Sequence, residues 1–202
     1  VEELYRQEGF FTATEFRHRL DLGRQFLRRY YQQHEAGWTV AAQVEQSFRH
    51  LEIDGVPVVG TIDKLDLSME KKAVIVDYKT GSHVAKKVRG PRPSEPLGGI
   101  YWRQLHFYKL LYEAQQKQRS VETGVISYLE PDAKGYFPEV RVGLDREGQD
   151  LLRRLIRETY QKILAQEFYE GCGEKSCPWC SFVQHNIPQD SFSDREVEAL
   201  DD

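Results

Sequence analysis

Two long runs of mixed apolar and polar residues meet at Asp54-Gly55, in "AAQVEQSFRHLEIDGVPVVGTIDKLDLS" (residues 41–68). Asp-Gly is a hairpin turn signal, because glycine takes a positive φ without strain. The flanking segments, "TVAAQVEQSFRHLEI" and "VPVVGTIDKLDLS", therefore read as paired antiparallel strands. "MEKK" closes a second turn and "AVIVDYKTG" follows as a third strand, giving a meander. This hairpin contains a difficulty. Asp63, Asp77 and Lys79 interrupt apolar strands, where charge is costly unless it is paired or binds a metal.

The flanking segments read as helices and further strands. Thr12 precedes Glu15 at capping-box spacing, and Phe16, Leu20, Leu27, Tyr30 and Tyr31 recur at helical intervals before Gly37. A helix is expected over residues 14–34. Residues 82–99, "SHVAKKVRGPRPSEPLGG", carry proline, glycine and cations without a period and read as a long loop. "IYWRQLHFYKLLYEAQQKQR" is a second helix, with Tyr101, Leu105, Tyr108, Leu111 and Tyr112 on its packed side. "TGVISYL" and "GYFPEVRVGL" add two strands. "REGQDLLRRLIRETYQKILAQEF" adds a helix whose core side is Leu151, Leu152, Leu155, Ile156, Tyr160, Ile163 and Leu164. The order predicts an α/β (α+β) fold with a central mixed sheet of about five strands flanked by helices. Residues 1–170 form the core, and residues 171–202 form a cysteine-containing loop and tail.

Composition narrows the classes. The chain has 202 residues, 40% hydrophobic and 12% aromatic, enough for a buried core. Lys plus Arg is 28 and Asp plus Glu 32, a net charge of −4; this does not advertise a nucleic-acid partner, although local patches outweigh the sum. No apolar run has the length of a membrane span, so no membrane partner is expected. The three cysteines fall within residues 172–180, which is a loop rather than a disulfide framework. No G-x-x-x-x-G-K run is present, so no P-loop motor lies in this sequence.

Asp77 and Lys79 are two apart and share a strand face. Whether Asp63 joins them depends on register, which sequence does not fix. If it does, two carboxylates and an ammonium converge. Together with a backbone carbonyl they supply hard oxygen ligands suited to Mg²⁺ or Mn²⁺ and a cation that stabilises charge on phosphorus. A plain salt-bridged hairpin competes on the same spacing. Asp66 falls on the opposite strand face and reads as structural. Gln104 and Tyr108, four apart, share a helix face and could hydrogen-bond a phosphate or base.

"GTIDKLD", "VDYKTG" and "QLHFY" together resemble the PD-(D/E)XK nuclease superfamily, and more narrowly the RecB/AddB-type nuclease domain found at the C-terminus of UvrD-like helicases. The resemblance implies a restriction-endonuclease-like core and a Mg²⁺- or Mn²⁺-dependent deoxyribonuclease, an exonuclease acting with a helicase motor on the same polypeptide in DNA repair or recombination. It implies Asp63 and Asp77 as metal ligands with the Tyr78 carbonyl, Lys79 positioning the water, and Gln104 and Tyr108 holding the DNA strand. Glu45, on the preceding strand, is an accessory candidate. The chain does not begin with Met and reads as an excised C-terminal part of a larger helicase-nuclease. The expected location is bacterial cytoplasm, with the nucleoid.

Two features depart from the pattern. His18 and His34 lie on the first helix outside the family's histidine setting, so that histidine is expected upstream of Val1. Some relatives carry an iron–sulfur cluster on C-x₂-C-x₅-C and an upstream cysteine. Here Cys177 and Cys180 supply C-x₂-C, Asn186 takes the third place, and Cys172 gives C-x₄-C instead. Zn²⁺ on Cys172, Cys177, Cys180 and His185 is admissible by ligand type. The favoured expectation is a degenerate loop without zinc or cluster. Lys86, Lys87, Arg89 and Arg92 flank the site and are expected to hold phosphates without sequence preference. The alternative function is a catalytically silent DNA-end-binding or scaffolding domain of the same fold.

Overall fold

The Asp54-Gly55 turn has both residues at positive φ, 52° and 78°, the geometry that matches the right-handed twist of paired strands. It joins β1 (Ala42–Ile53) to β2 (Val56–Asp66), which pair antiparallel. The computed structural model describes residues 12–38, 40–116, 118–167, 172 and 177–186, without the side chains of 183–186. The chain divides into two units, Val1–Arg157 and Glu158–Asp202. The expected core boundary at residues 170 and 171 falls outside the described residues.

The first unit holds the sheet. β3 (Lys72–Lys79) pairs antiparallel with β2, β4 (Ser120–Tyr128) pairs parallel with β3, and β5 (Glu139–Gly143) pairs antiparallel with β4. The strand order is β1-β2-β3-β4-β5. A parallel neighbour requires a crossover. It consists of α2 (Ala85–Val88) and α3 (Ile100–Gln115). The result is a mixed five-stranded sheet flanked by helices, an α/β fold consistent with a restriction-endonuclease-like core.

α1 (Ala13–His34) begins with the expected capping box: Thr12 Oγ1 accepts from the Glu15 amide at 3.3 Å, and Glu15 Oε2 accepts from the Thr12 amide at 2.9 Å. A 3₁₀ turn, Glu35–Gly37, ends it. α3 packs against β1, β2, β3 and β4. Phe48, Ile62, Leu65 and Ile75 of the sheet and Leu105 and Leu111 of α3 are all buried in one apolar cluster. The buried side of α3 is broader than the expected stripe and also takes in Trp102, His106 and Leu110. α4 (Arg146–Leu164) buries Gln149 and Leu152, but Ile163 and Leu164 are exposed. These two, expected in the core, lie past Arg157 in the second unit. α5 (Pro178–Asn186) belongs there too. Among the described residues no helix is long and apolar enough to cross a membrane.

His106 fastens α3 to the start of α4. Its ring is fully buried, lies 4.0 Å from Trp102 centroid to centroid, and has Nδ1 3.0 Å from the Gln149 side-chain amide. A Cβ on Gly148 would overlap the ring. Burial pushes the His106 pKa down to about 4; Asp145 works against this and Lys109 with it. The folded protein therefore refuses a proton that the unfolded chain accepts near pH 6.5. The His106 contribution to stability is full above about pH 6.5 and falls as the pH drops toward 4, by about 3 kcal/mol in total. Urea unfolding at pH 7 and pH 5 should show about 2 kcal/mol of this loss in the wild type, and a smaller one in His106→Gln. Equal slopes would remove His106 as the cause.

Candidate active site

Strand period two splits the end of β3 between the sheet's faces. Tyr78 faces α1: its ring meets Tyr30 edge-on at 6.2 Å. Asp77 and Lys79 face α3. Lys79 Nζ lies 2.5 Å from Asp77 Oδ2 and donates to Gln104 Oε1 at 2.9 Å. Gln104 Nε2 in turn donates to the Tyr108 hydroxyl at 2.8 Å, and that hydroxyl, with its own proton to give, lies against the Asp77 carboxylate. Asp77, Lys79, Gln104 and Tyr108 thus form a closed polar ring between β3 and α3. Burial pushes the Tyr108 pKa up to about 12, so the phenol stays protonated as a donor.

Asp63 joins this group from β2. The ladder pairs Lys64 with Val76 and Leu65 with Ile75; its next step would set Asp63 opposite Asp77. Instead, Asp63 Oδ2 accepts the Tyr78 amide at 2.9 Å. A residue's N–H and C=O point to the same edge of an extended strand, and successive residues alternate. Lys79's carbonyl turns to β4, accepting from the Leu129 amide at 2.8 Å. Tyr78's carbonyl therefore turns to the β2 edge, where Asp63 sits. Asp63, Asp77 and that carbonyl supply three hard oxygens near one another.

Asp77 is subject to opposing electrostatic influences. It is 1% exposed. Burial pushes its pKa above the ordinary value, Lys79 opposes this, and Asp63 adds to it. Its Oδ2 touches the Lys79 ammonium without a hydrogen-bond alignment, and is otherwise without a partner among the described residues. The contact is an ion pair that carries charge but little direction. A buried carboxylate oxygen lacking a hydrogen bond, beside a second carboxylate, fits a hard divalent cation.

The other candidates are more dispersed. Glu45 is exposed on β1 between the pairs Val44–Lys64 and Gln46–Ile62, level with Asp63, with φ at 50°. That conformation is unfavourable for a glutamate. Asp66 accepts from the Ser68 amide at 2.9 Å, ending β2. His34 lies on the other face, its Nδ1 3.6 Å from Glu139 and its ring stacked on Tyr30; His18 is exposed on α1. Of the loop cations, Lys86 and Arg92 both pair with Glu95, at 3.1 and 2.8 Å. In the second unit the sulfurs of Cys172, Cys177 and Cys180 lie within 4.8 Å of one another, and hydrogen bonds centred on the Cys180 backbone pull the Cys177 thiol pKa down. Three convergent thiols fit three of the four soft ligands of a zinc or iron–sulfur centre. The side chain of His185, the fourth expected ligand, lies outside the described residues.

Sequence reasoning missed Tyr101 and His106. Tyr101's ring centroid lies 4.7 Å from Lys79 Nζ. Its position three before Gln104, one helical turn earlier, was the available signal.

A profile of the PD-(D/E)XK nuclease superfamily matches residues 1–184. The chain belongs to the PD-(D/E)XK nuclease superfamily. Among solved structures, one described as "Crystal structure of SSO0001" is similar at 18% identity and a TM-score of 0.43, over 93% of this chain and 78% of that one. No match to a curated protein was found. Membership makes the chain a nuclease by family, a class that acts on phosphodiester bonds and generally uses divalent metals such as Mg²⁺.

The raised pKa of Asp77 has a direct consequence. Its proton is held more tightly in the folded than in the unfolded state, so this one group's contribution in the metal-free protein is full below the ordinary carboxylate pKa and is lost as pH rises, opposite in sign to that of His106. In EDTA the wild type should therefore lose more stability than Asp77→Asn as the pH is raised from about 4 to 7, and Mn²⁺ should raise the melting temperature of the wild type alone. An equal pH dependence in the two proteins would contradict this account of the carboxylate.

Proposed function

We propose that the chain is a divalent-metal-dependent deoxyribonuclease whose reacting groups are Asp63, Asp77 and Lys79. The observation that carries the proposal is the buried Asp77–Lys79 pair, closed into a ring by Gln104 and Tyr108 with Asp63 alongside. Buried charge of this kind is costly as plain structure, and it is understandable where a substrate phosphate and a cation complete it. Asp63, Asp77 and the Tyr78 carbonyl would hold Mg²⁺ or Mn²⁺. When bound, the cation supplies positive charge that polarises a phosphoryl oxygen.

The chain's own residues carry the rest of the mechanism. Water attacks phosphorus in line, losing a proton to solvent, while the P–O bond to the leaving nucleotide breaks and the departing oxygen takes up a proton from solvent. The Lys79 ammonium sits beside Asp77, where it can hold the attacking water or stabilise the negative charge that grows on the phosphoryl oxygens. Gln104 fixes Lys79 by accepting a hydrogen bond from its ammonium, and Tyr108 fixes Gln104 by accepting one from its amide. Holding the ammonium before substrate arrives removes reorganisation at the moment of reaction. Gln104 is partly exposed and is the member of this pair that reaches toward a DNA strand. Glu45 is an accessory carboxylate level with Asp63. The RecB/AddB-like sequence pattern supports exonuclease action with a UvrD-like helicase in repair or recombination, near the nucleoid. The three-thiol cluster is a structural soft-metal candidate. A DNA-end-binding domain without catalysis is the competing outcome.

Cleavage of end-labelled single- and double-stranded DNA in Mg²⁺, Mn²⁺ or EDTA tests the proposal. Cutting is expected with metal and not with EDTA, and Lys79→Ala and Asp77→Ala should each lower the rate roughly 10²-fold or more. A folded wild-type protein that binds DNA ends but never cuts, even in Mn²⁺, would replace this reading with the binding domain.

A further inference from the structure

The segment between β3 and α3 is bonded along its length. Gly98 donates to the Glu95 carbonyl and Gly99 to the Arg89 carbonyl, at 2.9 and 2.8 Å. Arg103 reaches back from α3 to the Gly98 carbonyl at 2.5 Å. A Cβ on Gly99 would overlap the Lys86 and Lys87 backbone. The segment is therefore a strap fastened to the first turn of α3, and it fixes where its cations stand.

Lys87 stands at the active site. Its ammonium lies 5.2 Å from the Tyr101 ring centroid and 3.5 Å from the Tyr101 hydroxyl. Lys79 lies 4.7 Å from the same centroid, so the two ammoniums are at most about 10 Å apart. Lys86 and Arg92 are neutralised by Glu95, whereas among the described residues no carboxylate pairs with Lys87. Lys79 already pairs with Asp77, so of the two ammoniums on this ring Lys87 is the one left to take an anion from outside.

We propose that Lys87 and Tyr101 form a phosphate subsite for the nucleotide next to the scissile one, on the strap side of the site. Lys87 pairs with that phosphate, and the Tyr101 ring holds Lys87 and Lys79 in register with successive phosphates of one strand. The inference rests on the nuclease reading. It goes further by assigning a positioning residue and a substrate contact that the reacting group does not include.

The test measures binding and cleavage in parallel. Binding of a fluorescein-labelled 12-nucleotide single strand is followed by anisotropy in Ca²⁺ across a salt series, and cleavage in Mg²⁺ or Mn²⁺ is resolved into kcat and KM. Lys87→Gln should weaken binding and raise KM about 5- to 10-fold, with kcat within twofold, and reduce the salt slope by about one. Lys87→Arg should restore both. Tyr101→Leu should raise KM and also lower kcat, because Lys79 loses its ring, while Tyr101→Phe, which keeps the ring and removes only the hydroxyl contact to Lys87, should raise KM by a smaller factor with kcat retained. Lys72→Gln, which removes a lysine paired with Glu122 at the far end of β3, is the charge-matched control. Equal losses in Lys87→Gln and Lys72→Gln, or none in Lys87→Gln, would overturn the subsite while leaving the nuclease intact. Absence of any cleavage would defeat the nuclease reading, and the binding series would still decide the subsite.

Discussion

The Lys79–Asp77 contact organises the rest of the molecule. A carboxylate this deeply buried would take up a proton or force its strand outward if it were alone. Here an ammonium two residues away holds it, and that ammonium is aimed by Gln104, which Tyr108 aims in turn. α3 must therefore cross β3 at one height only. The crossing is set from three sides: by Leu105 and Leu111 in the apolar cluster, by the strap at its first turn, and by His106 against Gly148 and Gln149 on its far face. Packing that is ordinary by itself thus becomes the frame that keeps a charged pair tolerable.

The same arrangement explains why Asp63 sits outside regular pairing. Ladder hydrogen bonds would direct the Tyr78 amide to β2 backbone; the amide goes to the Asp63 side chain instead. One backbone bond is exchanged for a bond to a carboxylate, which is stronger when the acceptor is charged. The exchange opens the end of the β2–β3 pair at the edge to which strand alternation already turns the Tyr78 carbonyl.

Much of this was legible in the chain. Asp54-Gly55 marked the hairpin, Thr12 and Glu15 the start of α1, and the mixed sheet followed from strand and helix order. Those features are local, and local chemistry decides them. The facing of Asp77 and Lys79 was legible for the same reason, since strand alternation needs no partner. Asp63's approach was not, because it depends on where regular pairing stops. The strap read as a loop because its order comes from distant backbone contacts to Gly98 and Gly99, which leave no periodicity. His106 was hidden between Leu105 and Phe107; only packing against a glycine on another helix shows that it is buried. The left-handed backbone of Glu45 likewise has no sequence signal, since glutamate seldom takes that form.

β3 carries one further implication, for how such a chain can vary. Its alternation sends Tyr78 to Tyr30 and sends Asp77 and Lys79 to α3. An insertion of one residue after Val74 would exchange the two sides, setting a phenol under α3 and two charges among the aromatic rings of α1. Substitutions along this strand can be graded in their effect, but a change of length cannot. Diversification by insertion or deletion is thereby pushed into the turn before Lys72 and the residues after Lys79, so the reading frame of the fold is locked where its chemistry is concentrated.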